Sequence, residues 1–185
     1  MRWRKLGPVE LPQRRPGWMA THAALPFVEP LDRNLLKVWF SGRDAANRSH
    51  TGSCLVDLRE PNRAREWSPA PLLSPGELGG FDDSGAMLSW IARRDARRFL
   101  YYIGWNLGVT VPFRNAIGLA ILEADGGLRR PVPGPILDRS ALEPHFVASC
   151  CVLPEPDGWR MWYLACSGWE PAEGKPRHRY HIRYA

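Results

Sequence analysis

The chain has 185 residues, which suits one domain with its own hydrophobic core. Hydrophobic residues make up 44% and charged residues 24%, as in ordinary soluble globular proteins, and no apolar run approaches the roughly 20 residues of a membrane-spanning helix. The net charge is +6, from 22 Arg and 3 Lys against 19 acids, but the arginines stand singly or in pairs (Arg93/Arg94, Arg97/Arg98, Arg129/Arg130). That scatter fits a compositional bias toward Arg first, a phosphate-bearing ligand second and a nucleic-acid surface third.

The opening "MRWRKLGPVELPQRR" has charge with no apolar core behind it, so it does not read as a signal peptide, and a cytoplasmic protein is expected. Its "WRKLGPVEL" resembles the outermost strand of a sheet, so residues 1–17 are expected to form a closing strand. Three units follow, over about 18–74, 80–138 and 143–185. Each starts with an apolar run and a polar turn: "HAALPFVEPLDRN", "SGAMLSWIARRDARR" and "FVASCCVLPEPDGW". An aromatic pair comes next, in "KVWFSGRD", "FLYYIGWN" and "RMWYLACSGWE", with Trp39, Tyr101 and Trp162 spaced 62 and 61 residues apart. A polar loop and a third run close each unit: "HTGSCLVDL", "NAIGLAILEADGG" and "YHIRYA". Short apolar triplets, "APLLS" and "GPILD", precede the second and third units and read as outer strands.

Every run is short, rich in β-branched or aromatic residues, and bounded by Gly, Pro, Asp or Asn, which predicts strands. "IARRDARRFL" has apolar residues only at its ends and reads as a charged hairpin turn. A four-stranded antiparallel unit repeated at about 60 residues predicts an all-β fold, a β-propeller with three blades in this chain. Three is fewer than the usual four or more, so a longer protein or a second chain, giving a homo- or hetero-oligomer, is expected to complete it. Cys54, Cys150, Cys151 and Cys166 have no zinc-like spacing and are expected to be buried, reduced thiols.

In such a meander the connection entering the innermost strand and the loop after the second strand lie at one end. The first set brings His22, Asp82, Asp83, Glu143 and His145. The second brings Arg43, Asp44, Arg48, His50, Trp105, Asn106, Arg114, Asn115, Trp169, Glu170 and His178. Acids, arginines, amides and tryptophans around one funnel predict a polar site for a small ligand.

The series "WMATHAALP", "LSPGELGGFDDSGAMLSW", "YYIGWNLGVTVPFRNAIGLAI", "GPILDRS" and "WRMWYLACSGWE" resembles a bacterial family of glycosidase-like five-bladed β-propellers. That family is distantly related to arabinanases, β-xylosidases and invertases, and its genes often lie among those for surface-polysaccharide or nucleotide-sugar synthesis. The resemblance covers essentially the whole chain and stops before the last two blades. It implies a carboxylate at the start of the innermost strand in three successive blades, as nucleophile or base, as stabiliser and as acid. Here His22 stands where the first would be, Asp82 and Asp83 where the second would be, and Glu143, two residues ahead of His145, where the third would be.

The leading expectation is therefore a carbohydrate-active, glycoside hydrolase-like protein that acts on or binds a sugar or nucleotide sugar. Asp83 (or Asp82, if the register slips by one) serves as base or stabiliser and Glu143 as acid, with one of the paired acids raised in pKa. Arg114 and Asn115 position the substrate, and Trp105 and Trp169 offer stacking faces. Each has a plainer reading: Asp82 and Asp83 as turn caps, Glu143 as a solvated loop residue, His22 and His145 as hydrogen-bonded structural histidines, the tryptophans as packing between blades. The alternative is a sugar-binding or assembly module on a degenerate glycosidase scaffold, favoured by the lost first acid. No cofactor is expected, with an ion in the central channel left open. His178 and His181, three apart on a strand, fall on opposite faces and cannot share a metal.

Overall fold

The computed structural model describes residues 2–185, and its strands form three antiparallel sheets. The first comprises β1 (Thr21–Pro30), β2 (Leu35–Arg43), β3 (Ser49–Asp57) and a two-residue β4 (Ala64–Arg65). The second repeats it with β5 (Gly85–Arg94), β6 (Arg97–Leu107), β7 (Phe113–Leu122) and β8 (Leu128–Arg129). The third has β9 (Val147–Glu155), β10 (Gly158–Glu170) and β11 (Arg177–Tyr184). Strands within each sheet pair with their sequence neighbours, and a single parallel pair, Ser49 with Gly85, links the first sheet to the second. The described residues contain no α-helix, only a 3₁₀ turn at Gly17–Met19.

The hairpin turns follow local chemistry. Asp32 Oδ1 accepts the backbone N–H groups of Asn34 (2.7 Å) and Leu35 (2.8 Å), closing the β1–β2 turn. The charged "RRDARR" is a hairpin, with Asp95 at φ 55° between Arg94 and Arg97. Aspartate tolerates that left-handed conformation better than most residues.

The sheets pack face to face in chain order, and the aromatic pairs make the layers. Phe40, Tyr102 and Tyr163 face toward the N-terminal side of their sheets, while Trp39 and Tyr101 face the next sheet. Trp18 and Met19 cover the outer face of the first sheet against Phe40, Cys54 and Val56. Trp39, Leu73, Leu88, Leu100 and Tyr102 fill the first junction, and Tyr101, Ile117, Val147, Cys150 and Tyr163 the second. Side chains also bond across the junctions. Ser41 Oγ accepts the Leu88 N–H at 2.9 Å, and Trp90 Nε1–H donates to the Val152 carbonyl at 2.7 Å. All four cysteines are free, and burial pushes the thiols of Cys54 and Cys150 up to about 11 and about 12.

The outer edge of the first two sheets is shared: β4 and β8 pair with one part of β3 and β7, and the expected triplets meet another part through single antiparallel bridges, Thr51 with Leu73 and Ile117 with Leu137. Leu72 and Ile136 also donate their N–H groups to the Thr51 and Ile117 carbonyls, each at 2.8 Å, so the triplets act as short straps. Pro69, Pro71 and Pro75 in one strap, and Pro131, Pro133 and Pro135 in the other, remove the donors a longer ladder would need. The N-terminal segment runs beside the first sheet, held by Glu10 N–H to the Asn62 carbonyl (2.7 Å) and by Asn62 Nδ2 to the Leu6 and Pro8 carbonyls.

Candidate functional site

Counting 62 residues from the first strand of one sheet to the first strand of the next aligns Leu25, Met87 and Ser149, and these three side chains line one pocket of about 460 Å³. Arg43 and Trp105, also 62 residues apart, lie at the ends of β2 and β6 and form its rim. Asn47, Asn115 and Lys175 add polar groups, and Ile103 and Phe113 an apolar wall. Leu25 (φ 52°) and Ser149 (φ 32°) both sit in the left-handed region, where a branched or bulky residue is strained. The Arg43 guanidinium lies 5.4 Å from the Trp105 ring centroid and donates to Asn47 Oδ1 at 2.9 Å. Trp105 Nε1–H donates to Ser49 Oγ at 3.1 Å, which fixes the indole plane.

Of the residues singled out from sequence, Arg43, Trp105 and Asn115 line this pocket. The acids do not. Asp82 lies in the turn before β5 and points back under Gly76, where a Cβ would collide with its carboxylate. It is buried, and its Oδ2 accepts Arg130 Nη2 (2.8 Å), Arg130 Nε (3.0 Å) and the Tyr102 hydroxyl (3.0 Å). Burial drives the Tyr102 hydroxyl's pKa upward. Asp83 is half-buried and accepts Asn106 Nδ2 (2.7 Å), Ser84 Oγ (2.9 Å) and the Gly79 N–H (3.1 Å). Burial opposes its charge, but those donors outweigh it and hold its carboxyl below the usual range. Adjacent acids predict one raised pKa, and Asp83 shows the reverse shift.

Glu143 is buried and accepts the Tyr163 hydroxyl at 2.7 Å, with Arg183 Nε at 3.7 Å. It is the counterpart of Asp82, since both acids precede their tyrosine by twenty residues. In the first sheet the same offset from Phe40 falls on Ala20, so acid and hydroxyl are absent together. His22, at the place of the first expected acid, is exposed and bonds only its neighbour Thr21 at 2.9 Å. Glu143 and His145 share a shallow pocket with His181 and Arg183, and His145 also meets Arg114 and Trp169 in a smaller one. Glu170 pairs with Arg179 at 3.1 Å. Burial opposes ionisation of Asp44, but the Arg48 N–H, His50 and the Arg48 guanidinium hold it at about 2. Asn106 Nδ2 is taken up by Asp83 and the Gly80 carbonyl. Among the described residues no three His, Cys, Asp or Glu side chains gather as a metal site would require.

Sequence reasoning missed Leu25, Met87, Ser149, Asn47 and Lys175. A spacing signal exists for the first three when the count starts from the aromatic pairs and not from the acids. Arg130, the partner of Asp82, carries no sequence signal beyond its charge.

The same arrangement of sheets occurs in solved structures. BT0996, in a complex with RGII, superposes with a TM-score of 0.65 at 16% identity, covering 98% of this chain and 58% of that protein. A glycoside hydrolase superposes at 0.63 and 15% identity, with the same coverages. The fold is glycoside hydrolase-like. At these identities the likeness speaks for the fold alone. Two Mycobacterium tuberculosis proteins, the uncharacterized proteins MT1551 (strain CDC 1551 / Oshkosh) and Rv1502 (strain ATCC 25618 / H37Rv), are each 40% identical over all 185 residues. The chain spans 61% of the length of these relatives. No family model matches it. No helix among the described residues is long and apolar enough to cross a membrane.

Proposed function

We propose that the chain forms three blades of a five-bladed propeller that binds a sugar in the pocket between its innermost strands. The observation that carries this reading is the make-up of that pocket: three equivalent strand positions, a fixed indole, two amides and two cations, with no carboxylate on its wall. Aromatic faces and amide groups are what a sugar ring and its hydroxyls need. Two acids at positions equivalent to one another, Asp82 and Glu143, are engaged by a tyrosine and an arginine instead. Isothermal titration with a panel of mono- and disaccharides tests the reading. Trp105→Ala should weaken binding of the best sugar at least tenfold while leaving the fold intact by circular dichroism. Unchanged affinity would move the site elsewhere.

Acid/base hydrolysis is the second reading, favoured by the one acid that is partly exposed. Asp83 is kept ionised, as a base or stabiliser must be at neutral pH. It requires turnover of an aryl glycoside that Asp83→Asn abolishes without loss of sugar affinity.

The uncovered face of the third sheet supports a larger assembly. Tyr180, Ile182 and Tyr184 are 57%, 64% and 62% exposed, beside Trp162, on the face that the next sheet covers in the first two units. An apolar stripe of this kind marks a contact surface. Light scattering of the 21.0 kDa chain is expected to give at least twice the monomer mass, and Ile182→Asp with Tyr184→Asp to return it to monomer.

A further inference from the structure

Resting on the sugar-binding reading, the geometry points to a narrower ligand class: a sugar carrying a carboxylate or phosphate, whose negative group meets Arg43 and Lys175. The pocket has these two cations and no Asp or Glu among its lining residues. Several arginines elsewhere on the chain have carboxylate partners, among them Arg48 on Asp44 (2.9 Å), Arg93 on Glu29 (2.6 Å) and Arg130 on Asp82 (2.8 Å). Arg43 is half-buried, and among the described residues no carboxylate comes within salt-bridge distance of it or of Lys175. Its side-chain hydrogen bond goes to the neutral Asn47 Oδ1, which leaves most of the guanidinium donors free toward the pocket.

The nearest acid in sequence, Asp44, is turned to Arg48 and His50 and does not neutralise its neighbour. A half-buried cation in neutral surroundings is unfavourable unless an anion meets it, and the planar fork of arginine matches a carboxylate or a phosphate with two parallel bonds. Trp105, beneath that fork, offers its face to the ring that bears the anion, and Asn115 is placed for a ring hydroxyl.

The test is calorimetric titration of the intact chain with galactose, galacturonate and galactose 1-phosphate, and with the corresponding gluco compounds. One charged sugar should bind at least tenfold more tightly than its neutral parent, and which one does so separates carboxylate from phosphate. The preference should fall below threefold in Arg43→Gln and in 0.5 M NaCl, since screening weakens a charge contact at an open pocket. Lys175→Gln, in the β10–β11 loop, provides a second variant that leaves the sheets untouched. Equal affinity for charged and neutral sugars overturns this inference and leaves the sugar-binding reading standing. Failure of every sugar to bind overturns both. A preference that survives both substitutions overturns the assignment to this pocket.

Discussion

Replacing Arg130 with methionine is expected to lower the free energy of unfolding by about 3 kcal/mol. The Asp82 side chain is only 4% exposed, and two of the three donors on its Oδ2 come from the Arg130 guanidinium. Removing that group leaves a buried carboxylate with the Tyr102 hydroxyl as its remaining hydrogen-bonded partner on that oxygen. An uncompensated buried charge of this kind is destabilising by about 3–5 kcal/mol. The lower end applies here, because the Arg130 side chain is 26% exposed and water can follow it in. Arg130 Nη2 also donates to the Ser74 carbonyl at 2.6 Å, so the substitution frees the strap that leads toward the turn holding both aspartates. Tyr102→Phe should be milder, about 2 kcal/mol, because its hydroxyl bonds two charged groups that still pair with each other. Adding Asp82→Asn to Arg130→Met should recover much of the loss, because the orphaned charge is then gone. Urea unfolding of the four proteins measures all of this. Equal stability of Arg130→Met and the parent would mean that the pair contributes nothing and that Asp82 is free for other work.

How much of this was legible depends on which residues set the count. Five of the six residues in the aromatic pairs are buried and face alternate junctions, with Trp162 on the uncovered face of the third sheet, so their spacing of 62 and 61 residues announced the repeated sheets. The charged hairpin at Asp95 was equally plain, since apolar residues occurred only at its ends. The triplets meet the third strand at one bridge each, because the flanking prolines remove the donors a longer ladder would need. The N-terminal segment lies along the first sheet through the Asn62 side chain, which donates to the Leu6 and Pro8 carbonyls, an anchor that no sequence pattern announces. The acids misled for a physical reason. Asp82 and Asp83 lie in a turn, not on the pleat, so strand alternation does not govern where they point. The residues that do line the pocket from the first strand of each sheet are a leucine, a methionine and a serine, types that advertise no chemistry.

Trp39→Ala is expected to destabilise the chain by about 4 kcal/mol, the range for emptying a buried aromatic site. The indole is fully buried at the first junction, among Leu73, Leu88 and Tyr102. Its Nε1–H donates to Glu29 Oε2 at 2.6 Å, and Glu29 in turn receives Arg93 Nη2 of the second sheet at 2.6 Å. One side chain thus fills the junction and orients the acid that clamps it. Two further substitutions separate those roles. Trp39→Phe keeps most of the volume and loses the donor, which should be destabilising by about 1–2 kcal/mol. Arg93→Ala leaves the Glu29 side chain, only 4% exposed, with the Trp39 donor and the more distant Arg98 at 3.9 Å, so its effect should be about 1–2 kcal/mol and should shrink in 1 M NaCl. The effect of Trp39→Ala should persist in salt, because burial is not screened. If Trp39→Ala and Arg93→Ala lost the same stability and both recovered in salt, the junction would be held by charge and not by the indole. In sheets that touch only their neighbours, the loss should also spread unevenly: amide exchange should accelerate in β1–β3 and β5–β7 more than in β9–β11.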